Sequence, residues 1–333
     1  VRTARHLSPA LLGAVLALTA CGAQDGGATG TEPTAQEASH TCGVPEPDPD
    51  RPTVGDGTFP VTVTDVTGEV SIEEEPQRIV SLSPSHTEML FAIGAGDRVE
   101  AADEYSTYPE EAPDTDLSGF EPSVEAVTEY DPDLVLLAHS AEATADQLDA
   151  VGIPSLVIDA AEDLEDTYAQ IRMLGDVTGN TEEADAEATR VENEFTEIVE
   201  NVCEETEGGG LTFYQELDET SYSATSNTFV GQIYESFGLV NIADAADEDG
   251  SASGYPQLSQ EYVVEQNPDL IFLSYGDEST VTQVAERPAF DTITAVQNDA
   301  VYLLDADIAS RWGPRVVEFA ELVGQAVIEN AGS

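Results

Sequence analysis

One stretch, Glu182 to Cys203 (EEADAEATRVENEFTEIVENVC), constrains this chain more than any other. It holds neither Gly nor Pro and is rich in Ala and Glu, so it favours a helix. Ala184, Ala188, Val191, Phe195, Ile198 and Val202 alternate steps of four and three, which places them on one helical stripe. At 1.5 Å per residue such a helix runs roughly 33 Å, about the width of a small domain. It also lies at the centre of an internal repeat. PSVEAVTEYDPDLVLL from Pro122 and LSQEYVVEQNPDLIFL from Leu258 align with an offset of 136 residues. Ser123/Ser259, Glu125/Glu261, Val127/Val263, Pro132/Pro268, Asp133/Asp269 and Leu134/Leu270 then coincide. The midpoint between Glu125 and Glu261 is residue 193, inside the helix. Repetition on this scale governs the whole fold. The expectation is two similar lobes joined by one long rigid helix.

The rest of the chain gives each lobe its content. Phe59 to Ile72 alternates apolar and polar residues around Thr67-Gly68, a hairpin. Arg78–Ser83 reads as a buried strand, and Ser85 with Glu88 reads as a capping box opening the next helix. Strands at Val99–Ala102, Asp133–Ala138 and Ser155–Ile158 alternate with helices at Pro122–Tyr130, up to Ala150, and from Leu164 to Leu174. The second half repeats the pattern, with strands at Leu211–Leu217, Asp269–Ser274 and Val301–Leu304. Its helices are Thr228–Phe237, Gln260–Gln266, Val281–Glu286 and Arg315–Ile328. Alternation of this kind predicts an α/β fold with mostly parallel sheets. The expected divisions are a targeting segment at 1–21, a flexible tether at 22–57, lobes at 58–177 and 208–333, and the connecting helix at 178–207.

The formal charge is −57, and all ten basic residues are Arg, with no Lys. Like charges repel, so nucleic acid and anionic membrane surfaces are poor partners. An acid excess of this size fits adaptation to high salt, where screening removes self-repulsion. Arg2 and Arg5 precede the apolar run Leu11 to Ala20, too short to span a bilayer, and Leu18-Thr19-Ala20-Cys21 follows. This resembles the bacterial lipobox, which implies a lipid on Cys21 and an extracytoplasmic location on the outer face of the cell membrane. Cys42 and Cys203 remain. In an exported chain they form either a disulfide, favoured by the compartment, or two buried thiols.

RIVSLSPSHTEMLFAIGAGDRV (78–99), the Tyr108-Pro109 after the second strand, the duplicated E-x-V-x-x-x-x-P-D-L unit and Arg311-Trp-Gly-Pro-Arg315 together resemble one family. These are the substrate-binding proteins of ABC importers for cobalamin, ferric siderophores and haem. The resemblance covers Arg78 to Val327. It implies a class III periplasmic-binding-protein-like fold, no enzymatic activity and a monomer that carries its ligand to a permease dimer. It also implies docking of that dimer through Glu125 and Glu261, one on each lobe. An isolated surface Glu means little in a chain with 67 acidic residues; the matched position in the repeat is what carries the docking reading.

Ligands of open α/β sheets sit outside the carboxyl ends of the strands. In the first half those ends carry Ser85, His86, Tyr105, Tyr108 and His139. In the second they carry Tyr222, Tyr255 and the segment Asp307 to Arg315, with Arg311 and Trp312. Against the cobalamin-binding members of the family, Tyr222 and Tyr255 fall at aromatic positions, and Asp307 and Arg311 at polar ones. Two first-lobe tryptophans of those members are replaced here by Gly119 and Ala138, leaving Phe120 and His139 as substitutes. The implied ligand is a ferric siderophore, a corrinoid or haem, and the implied function is its delivery to the permease. Arg311 and Arg315 offer planar forks for carboxylates, or alternatively serve as structural bridges, a role that suits Arg315 better. A second reading is a zinc or manganese ion receptor using His86 and His139, completed by Asp307 or Glu216. An enzyme is disfavoured. No G-x-G-x-x-G, G-x-S-x-G or H-E-x-x-H occurs, and without Lys neither a P-loop nor Schiff-base chemistry is available.

Overall fold

The computed structural model describes residues 42–45, 55–138, 141–206 and 209–332. Cys21, His139 and most of the expected tether lie outside the described residues. A two-stranded antiparallel hairpin comes first, β1 (Val61–Asp65) and β2 (Gly68–Ile72). The Asp65 carboxylate fixes it, accepting from the turn amides of Thr67 at 2.7 Å and Gly68 at 3.1 Å. Its other oxygen accepts from the Val157 amide, which ties the hairpin to the first sheet.

That sheet holds β3 (Ile79–Leu82), β4 (Val99–Ala102), β5 (Leu134–Ala138) and β6 (Ser155–Ile158) in the order β4-β3-β5-β6, all parallel. Helices α1 (Pro84–Ala92), α2 (Val124–Thr128), α3 (Glu142–Ala150) and α4 (Leu164–Thr178) connect and cover it. After α5 (Thr181–Glu205) comes a second parallel sheet of β7 (Thr212–Glu216), β8 (Val240–Asn241), β9 (Leu270–Leu273) and β10 (Val301–Leu303). Its order is β10-β9-β7-β8. Counted by appearance, each sheet runs second, first, third, fourth. The second lobe adds α6 (Phe229–Ser236), α7 (Gln260–Gln266), α8 (Glu278–Ala285), α9 (Thr294–Gln297), α10 (Ala306–Ser310) and α11 (Val316–Asn330).

The repeat has a physical basis in its Pro-Asp-Leu. Asp133 accepts from the amides of Gln77 and Arg78, and its own amide donates to the Arg78 carbonyl. Asp269 does the same at the start of β7, accepting from the Thr212 amide at 2.9 Å and donating to the Thr212 carbonyl. In each lobe this clamp sets the register between the first and third strands, Ile79 opposite Leu134 and Phe213 opposite Leu270.

Helix α5 packs against α4 from the first lobe and α11 from the second. Glycines permit the close approach: a Cβ on Gly175 of α4 would stand 2.2 Å from that of Ala184, and one on Gly324 of α11 would stand 2.9 Å from Val202 Cγ2. The buried stripe is Ala184, Ala188, Val191, Phe195, Val199 and Val202. Val199 is fully buried where Ile198 was expected, and Ile198 packs partly buried at the edge of the same core. Cys42 and Cys203 are disulfide-bonded, and the Gly43 amide donates to the Ser236 carbonyl. The segment expected as a wholly flexible tether is therefore docked at 42–45. It is docked again at Gly55, whose amide donates to Asp176 at 2.6 Å. Helix α1 starts earlier than expected. Its N-cap is Ser83 with Pro84 following, and Ser85 and Glu88 make no capping box. Pro lacks an amide hydrogen and is suited to the first helical position.

Candidate functional site

A cleft of about 1250 Å³ lies between the lobes, beyond the carboxyl ends of the strands. Its first-lobe wall is the β6–α4 connection, Asp159 to Asp163, continued by Asp166 and Gln170. Its second-lobe wall holds Asn227, Phe229, Ser274, Tyr255, Ser310 and Trp312. Gln232 donates to the Glu162 carbonyl at 2.8 Å, a bond across one margin. Of the residues expected from sequence, the structure brings Tyr255 and Trp312 into this lining. The Trp312 indole nitrogen is buried and finds no acceptor among the described residues.

The other candidates separate into groups. Tyr105 and Phe120 stack edge to face at 6.0 Å on the first lobe, and Phe120 is 71% exposed. Gly119 has no room for a side chain: a Cβ there would stand 2.8 Å from the Leu82 carbonyl oxygen. Tyr222 is exposed and pairs through its backbone with Gln257, outside the cleft lining. Ser85 is buried within α1. His86 is fully buried, with Nε2 3.3 Å from the Gln170 side chain, and burial lowers its pKa to about 4. His86 is not among the lining residues and lies one layer behind Gln170, which is.

The arginines differ most from expectation. Glu88 of α1 is buried and receives both. Arg311 donates to it at 2.9 Å, and Arg315 donates at 3.1 and 2.6 Å while lying 4.1 Å over the Tyr108 ring. Arg311 also donates to the Tyr105 carbonyl at 2.7 Å and pairs with Asp307, which accepts from Thr107 at 2.9 Å. Arg311, Asp307, Tyr108 and Arg315 thus form a bridge from lobe to lobe. Neither arginine is among the residues that line the cleft. Glu216 is likewise enclosed: Arg287 donates to it at 2.6 and 2.7 Å, joined by the hydroxyls of Tyr214 and Tyr275. Among the described residues no cluster of three or more His, Cys, Asp or Glu could hold a metal ion.

Sequence reasoning gave Glu88 a capping role rather than an interlobe one, and it missed Thr107 and the acidic β6–α4 wall. The wall follows the carboxyl end of β6, so the strand-end rule applied to every strand finds it. Glu88 gave no such signal, because its partners are more than 220 residues away.

The model of the periplasmic binding protein family matches residues 79–308. The chain belongs to this family. Periplasmic binding proteins are the non-enzymatic components of import systems that bind a small ligand and dock on a permease. An uncharacterized ABC transporter substrate-binding lipoprotein of Bacillus subtilis is 31% identical over 81% of this chain and 86% of its own. A cobalamin-binding protein of Halobacterium salinarum is 31% identical over 78% of this chain and 72% of its own. The crystal structure of the periplasmic vitamin B12 binding protein of Vibrio cholerae superposes with a TM-score of 0.63 at 25% identity. That match covers 76% of this chain and 96% of the other. As a periplasmic binding protein, the chain carries its repeated glutamates on equivalent helices. Glu125 and Glu261 are both exposed, each in the first turn of a helix capped by a serine, Ser123 for α2 and Ser259 for α7.

Proposed function

We propose that this protein is the extracytoplasmic receptor of an ABC importer, anchored through Cys21, which captures a metal chelate of the corrinoid type between its lobes. The observation that carries this reading is the roomy cleft walled by Phe229, Tyr255 and Trp312, which offers flat apolar surface to a large ring system. Similarity to the cobalamin-binding protein of Halobacterium salinarum and to the vitamin B12 binding protein of Vibrio cholerae supports a corrinoid over other chelates. Ferric siderophores and haem are the rival cargoes. The free-ion reading is weakened by the enclosure of His86 and Glu216.

Trp312 is the single tryptophan of the chain and lines the cleft, so its fluorescence reports occupancy. Titration of the mature domain with cyanocobalamin, a ferric hydroxamate, a ferric catecholate, haem and zinc is expected to give saturable quenching by cyanocobalamin. Response to zinc alone would reject the chelate reading.

Delivery is assigned to Glu125 and Glu261, two carboxylates on separate lobes that can pair with basic pockets on a symmetric permease. Reversal of both to Arg is expected to abolish uptake in cells while ligand affinity stays within about twofold, a change below half a kcal/mol. Uptake that survives the double reversal would remove the docking assignment.

A further inference from the structure

We infer that the cleft accepts neutral or cationic chelates and rejects anionic ones, with Glu162 and Asp166 as the residues that impose this selection. The inference rests on the reading of the cleft as a chelate site. Glu162, Asp163 and Asp166 belong to its first-lobe wall, and no Arg or His is among the described residues that line it. The arginines among the described residues are committed to other carboxylates. Arg311 and Arg315 are held by Glu88, and Arg287 is closed on Glu216. The four further arginines among the described residues pair with carboxylates too: Arg78 with Glu100, Arg98 with Glu75, Arg172 with Asp185, and Arg190 with Glu187 and Glu194.

A ligand carboxylate or catecholate entering this space meets like charge on one wall and, among the described residues, no cationic side chain on the other. Low-dielectric walls focus that field. One extra negative charge on a ligand, about 8 Å from one carboxylate, weakens binding on the order of tenfold at low salt. The second-lobe wall suits the opposite kind of ligand. Phe229, Tyr255 and Trp312 supply apolar faces, and Asn227 supplies a neutral amide.

The test compares ligands that differ in charge, the first pair at constant shape. Calorimetry would measure cyanocobalamin against its monocarboxylic acid, in which one side-chain amide is hydrolysed. A cationic ferric hydroxamate would be compared in parallel with an anionic ferric catecholate. Both sets would be run at the lowest salt that keeps the chain folded and again at molar salt. The expected result is that each anionic member binds about tenfold more weakly. That ratio should shrink at molar salt and in the Glu162→Gln/Asp166→Asn double variant. Circular dichroism of the double variant would establish that it is folded. Equal or tighter binding of the anionic member in a protein that does bind chelates overturns the charge selection alone. Failure of every chelate to bind overturns the chelate reading and this inference with it.

Discussion

Glu88 shows how one buried residue changes the meaning of two others. Its side chain is 1% exposed and pairs with both Arg311 and Arg315 across the lobe boundary, with Asp307 as a second counter-charge for Arg311. Truncating one member of a buried pair leaves the others desolvated without compensation, at a cost of about 3–5 kcal/mol. Glu88→Ala is expected to lower unfolding stability by about 3 kcal/mol in denaturant titrations at fixed molar salt, because Arg311 keeps Asp307 and the Tyr105 carbonyl. Glu100→Ala is the control. The Arg78–Glu100 pair is more than 40% exposed on both sides, so its loss should cost under about 1 kcal/mol. Equal effects for the two variants would mean that the interlobe bridge contributes nothing beyond a surface pair. From sequence, Arg311 and Arg315 were legible as unusual because basic residues are scarce. Their partner was not, since a long-range ion pair leaves no periodic trace. His86 was similarly half legible: its position after a strand was readable, and its burial depended on packing against α4.

Among the elements, several were readable to within a residue or two, whereas α4 runs four residues beyond its expected end and α8 starts three residues before its expected start. Helix α7 spans the seven residues expected, with Ser259 as its cap, and α5 differs by one residue at its start and two at its end. The elements that escaped are short. Strand β8 has two residues, and α9 and α10 have four and five, too few for either period to register. Helix α5 also illustrates what packing adds to propensity. Its Phe195 is fully buried on the face shared with α4 and α11. Phe195→Ala is expected to cost about 3–5 kcal/mol, from lost transfer energy plus a cavity. Ile198→Ala should cost less than half of that, since Ile198 is only partly buried. Denaturant midpoints for the two variants check the order. A larger loss at Ile198 would mean that the stripe passes through the residue first expected rather than through Val199.

The symmetry of the whole molecule was the most legible property, because the repeated Ser, Glu, Pro and Asp fix equivalent helices and equivalent strand clamps in both lobes. The charge of the whole molecule leads to the broadest prediction. Sixty-seven acidic residues face ten arginines. The seven arginines among the described residues are already paired, so added cation must come from solvent. Repulsion is visible locally: the Asp176 carboxyl is pushed above its ordinary range, chiefly by burial and further by neighbouring Asp56. Folding gathers these charges, whereas the unfolded chain spreads them, so self-repulsion opposes the native state. Screening shortens its reach from about 10 Å at 0.1 M salt to about 3 Å at 1 M. The melting temperature is therefore expected to rise steeply from low to molar sodium chloride. Chloride salts that do not strengthen apolar burial should act alike at equal ionic strength, whereas sulfate should add a further increment by exclusion from the surface. Calorimetric scans across this series separate the two contributions. A melting temperature that ignores chloride and follows only sulfate would place the salt response in apolar burial, and the acidic surface would then need another explanation.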